Sequence, residues 1–409
     1  MKVLQINNSD HQGGAAIAGY RLHQGLLNQN IDSHLLVGSS TEQCDRVTVI
    51  PSQAKIEKLV ASITRPLGLN YVNLLSSFAL GKHNLYQAAD ILNFHNLHGG
   101  YFNYLAIPAI TKAKPAVWTL HDMWGFTGHC VYSLDCDRWK TGCGNCPYPH
   151  SYPVVQTDNT HWEWKLKNWV YNRANLVIVT LSKWLTKQVQ QSLLSHFPIH
   201  HIPNGIDTDA YQPIDPQLCR TALDIPPHKK VLMFGAQSLA DSRKGGDLLV
   251  KALQGLPASL KQEIILLTMG NCSREIGNTL GMKTINIGYI DSDRIKSIAY
   301  SASDLFVFPT RADNLPLVLQ ESMACATPMV SFEVGGVPDL VRPGITGYLA
   351  KPQDTQDFSN GIVQLLEDKN LRQQMSQNCR EIILNEYSLA TQTKHYINLY
   401  RQILQGDCN

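Results

Sequence analysis

No run in the 409-residue sequence reaches the ~18 consecutive apolar residues that a bilayer-spanning helix requires. The opening Met1-Lys2-Val3-Leu4-Gln5-Ile6-Asn7 lacks a charged leader followed by a long apolar core and reads as a short buried strand. These two absences predict a cytoplasmic protein. A charge excess of one sign is also missing: 35 Lys and Arg meet 33 Asp and Glu, for a formal net charge of +2. That balance gives no case for nucleic acid as a partner, but leaves room for local cationic patches that meet phosphate. The dinucleotide fingerprint G-x-G-x-x-G is absent, which argues against a nicotinamide dehydrogenase. A Walker-type Gly-rich loop is absent too, so side chains and helix ends are left to hold any phosphate.

What is present is ordinary globular material, 44% hydrophobic and 17% charged. The length exceeds one comfortable core and predicts two domains. Short apolar runs alternate with helical spacing throughout, the mark of parallel sheets covered on both faces. Strands are expected at 3–7, 33–37, 91–95, 116–121, 176–181 and 200–203, then at 231–235, 264–269, 286–289, 305–309 and 329–332. Helices are expected at 15–28, 246–253, 293–302, 316–324, 354–367, 370–386 and 390–404. Pro213, Pro216, Pro226 and Pro227 cluster in the break between the halves. The expected fold class is α/β: two doubly wound Rossmann-like domains, 1–205 and 206–388, facing a cleft, with 389–409 as a helix crossing back to the first. Ligands in such sheets lie at the carboxyl ends of strands.

One segment is far more specific. The strand Asp304–Pro309 runs into Thr310-Arg311-Ala312-Asp313-Asn314-Leu315-Pro316 and then Leu317–Glu321. Asn314 reads as an N-cap and Pro316 as part of the first helical turn. Asp313 then precedes the helix and Glu321 lies about two turns into it. Helix N-termini attract anions, and carboxylates accept strong hydrogen bonds from hydroxyls. The run continues Ser322-Met323-Ala324-Cys325-Ala326-Thr327-Pro328 and, after a strand, Gly335-Gly336-Val337-Pro338-Asp339.

Asp313–Val341 resembles the donor-binding signature of family 4 (group 1) glycosyltransferases: Glu, seven residues, Glu, a small-residue helix end, Pro, a strand and Gly-Gly-x-Pro-Glu. Asp313 stands for the first Glu, Asp339 for the last, and Ala326 for a common Gly. The resemblance implies a GT-B fold and a retaining, hexosyltransferase-like enzyme. It would move a sugar from a nucleotide diphosphate donor to a saccharide or lipid-linked glycan, in polysaccharide biosynthesis, without a catalytic metal. It implies that Asp313 contacts the donor sugar and Glu321 the ribose, with Asn314 and Leu315 beside them at the helix start. A non-catalytic nucleotide-sugar-binding protein and a GT-B sugar-nucleotide epimerase are the alternatives.

Upstream, Gly235-Ala236-Gln237-Ser238 is expected to follow a strand, and Arg243-Lys244-Gly245-Gly246 to open a helix. Adjacent cations at a helix start oppose the macrodipole unless an anion sits there. A donor diphosphate is that anion in the resembled family; an exposed basic turn is the alternative. In the first half, Trp118-Thr119-Leu120-His121-Asp122 ends a strand. A strand-end His is commonly structural, but the resemblance sets His121 beside the donor sugar; His95 and His98 are weaker candidates. Gly13-Gly14 allows either close approach of the donor or a plain tight turn.

Cys130, Cys136, Cys143 and Cys146 crowd one loop. Their spacing suits a structural zinc, with disulfides or free packed thiols as alternatives. Finally, His161–Arg173 interleaves Trp162, Trp164 and Trp169 with Lys165, Lys167 and Arg173, and 55–80 adds an apolar, partly basic stretch. The resemblance suggests peripheral association with the inner membrane surface; the other reading packs Trp162, Leu166 and Trp169 on the first sheet.

Overall fold

The computed structural model describes residues 1–41, 44–238, 241–271 and 280–407, with no account of the side chains at 236–238 and 271. The chain divides into two compact units, Met1–Gly205 with Gln392–Asn409, and Ile206–Thr391.

Among the described residues the first unit carries a seven-stranded parallel sheet: β1 (Lys2–Ser9), β2 (Asp32–Ser39), β3 (Val47–Val49), β4 (Ile91–Phe94), β5 (Ala116–Leu120), β6 (Val177–Thr180) and β7 (Ile199–His201). Their order is β3-β2-β1-β4-β5-β6-β7. The second unit has β8 (Lys230–Ser238), β9 (Ile264–Asn271), β10 (Lys283–Asn286), β11 (Leu305–Phe308), β12 (Met329–Phe332) and β13 (Gly347–Ala350), ordered β10-β9-β8-β11-β12-β13. Counted within each unit, both sheets begin 3-2-1-4-5-6, the dinucleotide-fold order, whose direction reverses between strands 1 and 4. Loops after those two strands part there and leave a crevice.

Central strands are buried on both faces, as their unbroken apolar runs predict; β4, β5, β6, β11 and β12 are buried throughout. Helix Leu389–Gln405 belongs with the first sheet over most of its length. The Tyr396 hydroxyl lies 2.9 Å from Thr119 Oγ1, and the Tyr400 hydroxyl accepts from Asn93 Nδ2 at 2.9 Å, both in the core.

Several expected elements shift. β10 occupies 283–286, not 286–289, and β3 and β13 are strands that the sequence pattern does not mark. β8 runs on to Ser238, so Gly235-Ala236-Gln237-Ser238 completes the strand; the side chains of the last three lie outside the described residues.

Candidate functional site

In the second unit, the reversal point lies between β8 and β11. After β8, residues Ser242–Lys244 make a single tight turn, and Gly245 leads into helix Gly246–Gln254. Gly245 has φ +70°, and a Cβ there would fall 1.9 Å from the Pro309 carbonyl oxygen, so glycine alone fits. The turn is stitched to the loop after β11. Arg243 O accepts from Arg311 N at 2.8 Å, and Arg311 forks onto Asp247 at 2.8 and 2.6 Å. A bidentate pair of this kind fixes orientation as well as distance.

Asp313 is the centre of this assembly. Its Oδ2 accepts from Lys244 Nζ at 2.7 Å and Arg243 Nη1 at 3.1 Å, and its Oδ1 accepts from the Asn314 backbone N–H at 3.0 Å. The Asp313 carbonyl accepts from Gly336 N at 3.1 Å; Gly335, at φ +53°, would place a Cβ 2.0 Å from that oxygen. The Gly-Gly pair thus lets the loop after β12 close onto Asp313. Burial pushes the Asp313 carboxyl up, but Lys244 and Arg243 outweigh it and hold it below the ordinary value. Both cations keep partial exposure, 22% for Lys244 and 28% for Arg243, so a ligand can reach them.

The expected counter-charge to Arg243 and Lys244 is therefore first of all a protein carboxylate. They also sit in the turn before the helix, not on its first residues. Asp241, unmarked in the sequence reading, caps that turn: Oδ1 accepts from Arg243 N at 3.0 Å and Oδ2 from Arg243 Nη2 at 3.1 Å. An Asp immediately before a basic turn is a local signal that marks such a cap.

The cap assigned to Asn314 is corrected. The helix spans Leu317–Ala324 with Pro316 in the cap position, because proline has no N–H to pair and its fixed φ suits entry to a helix. Glu321 is then about one turn in, not two. It is buried and accepts from the Tyr300 hydroxyl at 3.0 Å, a partner the sequence gives no sign of. Asn314 and Leu315 are buried as well, and the Asn314 N–H is directed at Asp313.

The first unit holds its own group. Gly13, at φ +94°, caps helix Gly14–Asn28, which starts one residue before expectation. A Cβ on Gly13 would meet nothing within 4 Å, so its backbone conformation, not crowding, demands glycine. His121, just past β5 and partly exposed, ends a polar chain whose other members are buried. Its Nε2 is 3.0 Å from His95 Nδ1, His95 Nε2 is 2.8 Å from Gln5 Oε1, and Gln5 Nε2 donates to Ser33 Oγ at 3.2 Å. His23 Nδ1 lies 2.8 Å from the same hydroxyl. Burial lowers His121 to about 4 and His95 well below its ordinary value, so both rings are neutral at pH 7. Gln5 accepts from His95 Nε2–H, which leaves His95 Nδ1 to accept from His121 Nε2–H and sets that tautomer. His95, a weaker candidate by sequence, is thus the residue that orients His121. His98 instead pairs with Asp122 at 2.8 Å.

The four loop cysteines carry free thiols. Residues 142 to 145 all take positive φ, 141°, 51°, 94° and 47°, which winds Cys143 and Cys146 into a tight knuckle. Cys143 Sγ accepts from Gly128 N at 3.2 Å and Cys146 Sγ is 3.2 Å from His129 Nε2. Burial pushes Cys130 up to about 12 and Cys143 to about 11. Among the described residues no three His, Cys, Asp or Glu side chains are arranged to hold a metal ion. The Cys143 and Cys146 sulfurs thus each lie within reach of a neighbouring nitrogen.

Helix Thr160–Tyr171 also departs from expectation: Trp162 and Trp169 point to solvent rather than pack on the sheet, whereas Leu166 does pack there. Among the described residues no helix is long and apolar enough to cross a membrane.

Two family models match the chain. Residues 12–210 match the model of Glycosyltransferase Family 4, and 221–382 that of Glycosyl transferases group 1. A putative colanic acid biosynthesis glycosyl transferase, WcaC of Escherichia coli K12, is 27% identical over 84% of this chain and 85% of its own. Among solved structures, sucrose-phosphate synthase of Thermosynechococcus elongatus superposes over 99% of both chains with TM-score 0.71 at 18% identity. Anabaena HepE in complex with UDP superposes over 98% of this chain and 100% of that one, also at 0.71, with 16% identity. At such identities the structures establish a shared fold and no more.

Proposed function

Because the chain belongs to the group 1 glycosyltransferases of family 4 and is an enzyme of that class, we propose that its second unit holds a nucleoside-diphosphate sugar at the β8/β11 reversal point. The sugar passes, with retained configuration, to a hydroxyl of a glycan or lipid-linked glycan during polysaccharide assembly. Similarity to a colanic acid biosynthesis enzyme supports that setting. The observation that carries the donor site is the convergence of Arg243 and Lys244 on one buried carboxylate at a strand-order reversal.

In this reading the two cations meet the diphosphate. An ammonium has three donors and Asp313 takes one. Asp313 aims the cations and balances part of their charge while the site is empty of donor. When the sugar–phosphate bond breaks, negative charge grows on the leaving diphosphate, and pre-aimed cations stabilise it without reorganising. Glu321 takes the ribose hydroxyls, with Tyr300 orienting its carboxylate. In the first unit, neutral His121, oriented by His95, can hydrogen-bond sugar hydroxyls, and the open space at Gly13 allows close approach of backbone to a ligand.

The test is product analysis. The purified chain, given a panel of nucleotide sugars and mixed glycan acceptors, is expected to release one nucleoside diphosphate and glycosylate an acceptor. Arg243→Ala and Lys244→Ala should lose transfer while staying folded. Full transfer in both variants would remove the phosphate assignment.

A further inference from the structure

Buried loops are uncommon, because their backbone polar groups need partners that a loop does not supply to itself. The loop after β5 is such a case: Trp124, Phe126 and Thr127 are at most 2% exposed. The carbonyls of Trp124, Gly125 and Thr127 are met by side chains of one helix, Thr160–Tyr171. Lys167 Nζ donates to Trp124 O at 2.7 Å and to Thr127 O at 3.0 Å, and the Tyr171 hydroxyl donates to Gly125 O at 2.8 Å. Glu163, Lys167 and Tyr171 stand four residues apart, so they share one helix face, and all three are buried. Glu163 serves other segments: its carboxylate accepts from Asn70 N at 2.6 Å and from the Tyr104 hydroxyl at 2.7 Å.

Packing alone does not call for an ammonium in this place. A buried cation carries a desolvation cost that an apolar side chain of similar length avoids. What the charge adds is a pair of charge-assisted hydrogen bonds to one loop, with Nζ 3.7 Å from the Trp124 ring centre. That loop begins at the residues of interest. Trp124 is held at both ends of its backbone, its carbonyl by Lys167 and its N–H by Asp122 Oδ1 at 2.9 Å. The other Asp122 oxygen pairs with His98 Nε2 at 2.8 Å. His121 is the residue before Asp122.

We infer that Lys167 and Tyr171 are positioning residues: together they fix the loop after β5, and through it the places of His121, Asp122 and His98. Neither touches the cations of the second unit. The consequence for transfer rests on the proposed role of His121; the positioning itself does not.

The experiment compares Lys167→Met and Tyr171→Phe with the wild type. The readouts are NMR of the histidine rings, titration with UDP and GDP, and transfer from a panel of UDP- and GDP-sugars to mixed glycans. In both variants the His121 and His98 ring signals should shift or broaden, while UDP and GDP bind as they do to the wild type. Transfer should fall about tenfold to a hundredfold in Lys167→Met, and less in Tyr171→Phe, at temperatures where each variant is folded. A lowered thermal midpoint with unmoved histidine signals and full transfer overturns the inference, since it leaves the two residues a structural role alone. If Lys167→Met does not fold, Tyr171→Phe, which deletes a single oxygen, decides by the same readouts. A wild type that transfers nothing sinks the proposed reaction instead; displaced His121 and His98 rings then still support the positioning, and undisplaced rings overturn it.

Discussion

Lys244 Nζ and Asp313 Oδ2 lie 2.7 Å apart although 69 residues separate them. The contact joins the loops after β8 and β11 where the strand order reverses. A buried acid is thereby kept ionised, and two cations are kept aimed.

That relationship has a pH signature. The folded-state Asp313 carboxyl lies below its ordinary value, so its stabilisation is present above the unfolded-state pKa of about 3.9. It is lost as pH falls through the depressed folded value. The stability gap between wild type and Asp313→Asn should be widest near neutrality and close on acidification below about pH 4. Thermal melts across that range check it; a gap constant with pH contradicts it.

Glycine substitutions separate crowding from conformation. Gly245→Ala and Gly335→Ala combine positive φ with a Cβ about 2 Å from a carbonyl oxygen. Each should cost at least about 1–3 kcal/mol and weaken nucleotide binding, because the loops that aim Lys244 and Asp313 must part. Gly13→Ala, with open space around its Cβ, should cost only the backbone penalty of about 1–2 kcal/mol. Denaturant titration of the three variants gives the order.

Tyr300→Phe leaves the buried Glu321 carboxylate without that hydroxyl. A loss of about 1–3 kcal/mol is expected, with a raised KM for donor if Glu321 holds the ribose. Unfolding and steady-state kinetics on one preparation read both effects.

His121 is lowered by burial to about 4, so the folded chain binds fewer protons than the unfolded one between about pH 4 and 6.5. Stability therefore falls as pH drops through that window, and His121→Asn should fall less steeply. By NMR the His121 ring signals should stay at their neutral positions from pH 8 to pH 5; titration near 6.5 would contradict the relay through buried His95.

Much of this was legible in the sequence, for identifiable reasons. Central strands such as Leu305–Phe308 are buried on both faces and show as uninterrupted apolar runs. The unmarked or displaced strands, Val47–Val49, Lys283–Asn286 and Gly347–Ala350, lie at sheet edges and are only partly buried, so their apolar signal is weak. The acidic pair Asp313 and Glu321 was legible as a motif, but the pairing with Arg243 and Lys244 is tertiary and leaves no local trace. Likewise, periodicity shows that 54–64 and 160–171 are two-sided, yet not that Glu57 and Glu163 take the inward side.

The measurement that bears most directly on the donor site is calorimetric titration of the chain and its Lys244→Ala variant with UDP, GDP and ADP. Saturable binding of one nucleoside diphosphate, weakened roughly 10–100-fold in Lys244→Ala by loss of a charge-assisted contact, is the predicted result. Binding of equal strength in both proteins, or none by the intact chain, would contradict the assignment of Arg243, Lys244 and Asp313 to the diphosphate.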